Sequence, residues 1–105
     1  MVTKLQHVFV TFNEIKNKFM TYTLDWQKIE LDNKQNYLER VFVFKNFAEA
    51  LEFISKVAAV AEKMNHHPTI INTYNKVTLQ LNTHDSNNTI TQLDSKLSQE
   101  IDKLL

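Results

Sequence analysis

Residues 62–85 read EKMNHHPTIINTYNKVTLQLNTHD, and the change of pattern inside this stretch decides the fold. Glu62, Lys63 and Met64 close a helical run that starts near Phe47. Pro68 is the only proline; it fixes its own φ and crowds the residue before it, so the helix stops at the pair His66-His67. From Asn75 to His84 the pattern is alternation. Val77, Leu79 and Leu81 share one face, and Lys76, Thr78, Gln80, Asn82 and His84 share the other, as on a half-buried strand. By that register His84 lies on the polar face, away from the core. Three of the four histidines, His66, His67 and His84, therefore gather where a helix gives way to a strand.

Upstream, Asn46 offers an N-cap with Glu49 three residues on, the spacing of a capping box. The helix it opens runs to about Met64, with an apolar stripe at 47, 50, 51, 54, 57, 58, 61 and 64. Phe53 and Val60 fall off the centre of that stripe. They either widen a buried face or form an outer strip that meets another subunit. Tyr37–Phe44 is rich in β-branched and aromatic residues and reads as a strand. Leu24–Leu31 alternates more loosely and ends at the turn signal Asp32-Asn33, so the two strands form an antiparallel hairpin. Residues 5–20 space apolar side chains as in a short amphipathic helix. Downstream, Thr69–Thr73 is a short strand, Asp85–Asn88 a polar turn, and Thr91–Leu105 a helix carrying Leu93, Leu97, Ile101, Leu104 and Leu105. The order is α-β-β-α-β-β-α. The expected class is α+β, a four-stranded antiparallel sheet with three helices packed on one face, in a single domain spanning 1–105.

Composition narrows the function. The chain has 105 residues, with 12 Lys plus Arg against 12 Asp plus Glu, so it carries no basic field for nucleic acid. It has no cysteine, which removes thiolate nucleophiles, disulfides and most structural zinc sites. It has no glycine either, which excludes glycine-rich phosphate loops and leaves tight turns to Asn and Asp. The N-terminal residues lack a signal-peptide pattern, and no apolar run approaches the ~18 residues that span a membrane. A cytoplasmic protein is expected.

A cluster of three histidines suits general acid–base chemistry, because the unperturbed imidazole titrates near neutrality. Glu62 stands four residues before His66 and is placed to orient it if the helix reaches that far. Asp85 and Asp94 are close in sequence to His84 and can fix a tautomer or hold a substrate amine. Each histidine alone also reads as a solvated or capping residue, and His7 gives no further signal. A zinc site is not expected: adjacent histidines point apart, and no i, i+4 pair is present. Trp26 reads as core or as the flank of a planar ligand. From the residues alone this is a histidine-lined acid–base site of unassigned substrate.

The stretch Glu62-x-x-x-His66-His67-Pro68, then Tyr74-Asn75-Lys76-Val77 and the strand to Thr83-His84-Asp85, resembles the signature of pterin-4a-carbinolamine dehydratases. Trp26, Leu38-x-Arg40-x-Phe42-x-Phe44, Phe47-x-x-Ala50-x-x-Phe53 and Ile90-Thr91-x-x-Asp94 extend the resemblance over roughly residues 24–104. Where the family places a glycine after Thr-His-Asp, this chain has Asn88, in a turn one residue longer. The resemblance implies removal of water from a 4a-hydroxytetrahydropterin to give quinonoid dihydropterin, in tetrahydropterin recycling, with no metal or organic cofactor. It implies His66 and His84 as the acid–base pair and His67 as a further catalytic or pterin-positioning group. Glu62, Pro68, Thr83, Asp85, Asp94 and Trp26 would bind or orient. It also implies a homodimer or homotetramer built partly through the central helix. The alternative is a non-catalytic role: some members stabilise dimers of an animal homeodomain transcription factor, and a related pterin-binding protein is a further possibility.

Overall fold

A computed structural model describes residues 25–105 of the chain. Strands β1 (Gln27–Glu30), β2 (Asn36–Val43), β3 (Thr69–Thr73) and β4 (Lys76–Leu81) form one antiparallel sheet in the order β1-β2-β4-β3. Helix α1 (Phe47–Met64) joins β2 to β3, and α2 (Gln92–Asp102) closes the chain after a short 3-10 turn at His84–Ser86. Among the described residues there are thus two α-helices rather than the expected three. The helix expected over 5–20, and His7 with it, lies outside the described residues.

The register explains which face is buried. Leu38, Arg40 and Phe42 of β2 stand opposite Leu81, Leu79 and Val77 of β4, so these six side chains point the same way. Val77, Leu79 and Leu81 are fully buried there against Ala50, Phe53 and Val57 of α1 and Leu97 and Ile101 of α2. Both helices therefore cover one face, as expected. The stripe on α1 is rotated relative to its sequence reading. Phe53, expected off its centre, is fully buried, with its ring 4.8 Å from Phe42 and 4.9 Å from Phe44. Phe47 and Leu51, expected inside the stripe, are exposed. Phe42 and Phe44 on the sheet, together with Leu97 and Ile101 of α2, form one cluster with Phe53 and Val57, and this turns the buried face of α1 toward them.

Caps set the ends of α1. Asn46 Oδ1 accepts the Glu49 backbone N–H at 2.9 Å, and Glu49 Oε1 accepts from Lys45 N–H at 3.3 Å. At the other end Asn65 is left-handed, with φ 53°, and the His66 N–H donates to the Ala61 carbonyl at 3.1 Å. Such a closure normally uses glycine. This chain has none. Positive φ falls on Asn65, Asn87 and Asn88, as the sequence suggests, but also on Lys34 and Tyr74.

Strand β4 ends at Leu81, earlier than the alternation implies. Asn36, the first residue of β2, gives its N–H to Asn88 O and accepts from Asn82 Nδ2, both at 3.2 Å. The returning chain thus replaces the strand ladder. His84 consequently sits not on a strand face but at the head of the 3-10 turn, exposed.

Candidate functional site

The end of α1 and the end of β4 together frame a hollow of about 300 Å³ lined by His66, His67 and His84 with Asn65, Asn82, Thr83, Asp85 and Leu93. The left-handed Asn65 turns the chain out of α1, and the 3-10 turn carries His84 round to the same opening. Each histidine is held differently.

His66 is nearly buried, and its Nε2 lies 2.6 Å from Asp94 Oδ1. Asp94 is fully buried. Its other oxygen, Oδ2, accepts from Thr83 Oγ1 and from the Thr91 backbone N–H, each at 2.8 Å. The last bond belongs to the capping box of α2, in which Thr91 Oγ1 in turn accepts from Leu93 N–H at 3.3 Å. One carboxylate therefore starts a helix and holds a histidine. An ionised carboxylate only accepts, so the shared proton belongs to His66 Nε2 and the lone pair of the neutral ring to Nδ1.

His67 Nε2 is also 2.6 Å from a carboxylate, Glu62 Oε2, but that pair is open to solvent. Glu62 therefore partners His67 and not His66, because the helix ends before His66 and the chain reverses at Asn65. Among the described residues His84 Nδ1 meets only the amide oxygen of Asn88, at 3.3 Å. Asp85 lines the hollow, whereas Asp94 serves His66 and not His84. Pro68 is half-buried and leads directly into β3.

Trp26 lies elsewhere. Its ring packs edge-on to Phe42 with centroids 6.1 Å apart, and its Nε1–H donates to Asp102 Oδ1 at 2.9 Å. The buried Arg40 donates to the same oxygen, also at 2.9 Å. Trp26 thus ties the chain ahead of β1 to the last turn of α2 and does not line the histidine hollow. Among the described residues no group of three or more His, Cys, Asp or Glu side chains is arranged to hold a metal ion, and no helix is long and apolar enough to cross a membrane.

Asn65, Asn82 and Leu93, which line the hollow, and Thr91, which holds Asp94 behind it, were not named as site residues from the sequence. Thr91 had a signal, since Thr-x-x-Asp ahead of an apolar repeat is the spacing of a capping box. Asn82 had none, because its role depends on Asn36, far away in the chain.

Residues 9–104 match the sequence profile of the family described as pterin 4 alpha carbinolamine dehydratase. A relative from Sulfurisphaera tokodaii, named provisionally as such a dehydratase, is 49% identical over 72 residues, covering 69% of this chain and 76% of its own. One from Prochlorococcus marinus strain AS9601, named in the same way, is 42% identical over 96 residues, covering 91% and 94%. The crystal structure of a transcriptional coactivator/pterin dehydratase from Brucella melitensis superposes with a TM-score of 0.65 at 34% identity, over 90% of this chain and 95% of that one. A pterin dehydratase-like protein identified as a RuBisCO assembly factor in the alpha-carboxysome superposes with a TM-score of 0.63 over 76% and 88%. At 21% identity it is a likeness of fold.

Proposed function

This chain belongs to the pterin 4 alpha carbinolamine dehydratase family, and from that premise we propose that it removes water from a 4a-hydroxytetrahydropterin. In this reaction the N5–H bond breaks and its electron pair forms the N5=C4a double bond. The C4a–O bond breaks in turn, and the hydroxyl departs as water with one added proton. One base takes a proton, one acid gives one, and the product is the quinonoid dihydropterin.

The observation that carries the reading is His66, held from behind by the buried Asp94, lining the same hollow as His84. Asp94 keeps a proton on His66 Nε2, so Nδ1 is the basic atom that takes the N5 proton, and the carboxylate stabilises the imidazolium that results. Among the described residues His84 is bonded to the Asn88 amide oxygen and to no carboxylate, and it gives its proton to the leaving oxygen. His67, steadied by Glu62, binds the ring, with Asn82 and Asp85 offering further polar partners. Each positioned acid or base typically contributes ~10²–10⁴-fold in rate.

The test is dehydration of a synthetic 4a-hydroxytetrahydropterin followed by ultraviolet absorbance, with wild type, His66→Ala and His84→Ala side by side. Acceleration by wild type, lost in both variants while they remain folded, supports the assignment. A wild type no faster than buffer overturns it and favours a binding role.

We further propose that the chain self-associates. Phe47 and Leu51 are each 44% exposed on one flank of α1, a cost that a second copy would relieve. Sedimentation of Leu51→Glu should show a smaller species than wild type; the same mass for both sinks this idea.

A further inference from the structure

Leu93 is a large apolar side chain left 47% exposed in the first turn of α2, between two residues, Thr91 and Asp94, that are occupied in capping. It lines the histidine hollow. It also lines a second hollow of about 300 Å³, formed with Gln92, Ser95, Lys96 and Gln99. The two depressions thus share one leucine in their walls.

Their chemistry differs. The histidine hollow has Asp85 in its wall and Asp94 behind His66, and neither lysine nor arginine lines it. Asp94 already sits on the amide end of α2, where an anion would otherwise be favoured. The second hollow has three neutral hydrogen-bonding side chains, one lysine and no carboxylate. Glu100, the nearby acid, is bonded to Lys103 at 2.9 Å. Lys96 acts on Glu100 only through its charge, more weakly than Lys103 does, and among the described residues it has no carboxylate within ion-pair distance.

We propose that this second hollow is a subsite for the substituent on carbon 6 of the bound pterin. The substituent crosses Leu93 as an apolar ridge and places an anionic end group, such as a phosphate ester, beside Lys96. The inference rests on the dehydratase reading and adds to it a substrate class: pterins with an extended, anionic side chain rather than a bare methyl group. Leu93 and Lys96 act on specificity and take no part in proton transfer.

The experiment compares kcat/KM for two carbinolamines, those of 6-methyltetrahydropterin and of the phosphate ester of 6-hydroxymethyltetrahydropterin. Wild type should favour the phosphorylated substrate through a lower KM. Lys96→Gln should reduce that preference by up to about five-fold, the range of a solvent-exposed charge pair. Leu93→Asp, which places a carboxylate on the ridge at a helix position that tolerates one, should reduce it further, and 0.5 M salt should shrink the difference among the three proteins. If wild type processes both substrates and their ratio is the same in all three proteins, the subsite is overturned while the dehydratase reading stands. A wild type inactive on both substrates overturns the two together. Should Leu93→Asp fail to fold, Lys96→Gln decides alone.

Discussion

Two histidine–carboxylate pairs meet at one hollow with the same separation, 2.6 Å, and they are not equivalent. In the His66–Asp94 pair the side chains are 11% and 0% exposed; in the His67–Glu62 pair they are 55% and 77% exposed. Water screens the second pair and replaces either partner at little cost, so such pairs contribute about 0.2–1 kcal/mol. The first pair is shielded, and its carboxylate is bonded on both oxygens, where hydrogen bonds to a charged group contribute about 1.5–3 kcal/mol each. Distance alone would rank them as equals. Burial and the count of other bonds separate a fixed machine part from an adjustable one.

The hardest test of that contrast is to remove each carboxylate. Asp94→Ala strands His66 Nε2, Thr83 and the Thr91 N–H together. It should lower kcat by roughly 10²–10⁴-fold, the scale of one positioned acid–base group. It should also destabilise the fold by about 2–4 kcal/mol, measured by urea denaturation, from one lost cap and unsatisfied buried partners. Glu62→Ala should change kcat only a few-fold and stability by less than about 0.5 kcal/mol. Equal effects of the two substitutions would mean that the burial argument is wrong.

Double-mutant cycles sharpen the comparison. His66→Ala with Asp94→Ala should show a coupling energy of about 1.5–3 kcal/mol that persists in high salt. The His67→Ala with Glu62→Ala cycle should give under about 1 kcal/mol and fade toward zero in 1 M salt, where the Debye length is about 3 Å.

The smallest effect concerns the residue that separates the two histidines from the helix. Asn65→Ala should cost about 1 kcal/mol in urea denaturation because alanine resists positive φ, whereas Asn65→Gly should be neutral or slightly stabilising. If Gly preserves stability but lowers activity, Asn65 contributes its amide to the hollow as well as its backbone.

Much of this architecture is written in local pattern. Helix α1 and strand β3 have the bounds read from spacing and from Pro68, because caps and breakers act within a few residues. The left-handed Asn88 stands where the family resemblance places a glycine. What local pattern misses is set by partners distant in sequence. The alternation continues through His84, yet β4 ends at Leu81, because Asn36 draws in Asn82 and Asn88 instead. Phe53 is drawn inward by Phe42 and Phe44, a contact invisible to the period of α1 taken alone. At the site the histidines were legible, but their carboxylates were exchanged: neighbours in sequence suggested Glu62 for His66 and Asp94 for His84. The reversal at Asn65 and the return of the chain at Thr91 assign Glu62 to His67 and Asp94 to His66.

The shared carboxylate of Asp94 has a further consequence for how the protein moves. Helix ends open and close far more often than whole domains unfold. Whenever the first turn of α2 frays, the bond from the Thr91 amide to Asp94 is lost, and His66 loses its anchor in the same event. The readiness of the site is therefore tied to the opening equilibrium of one helical turn, and a molecule that grips His66 would also slow amide exchange at Thr91 and Asp94.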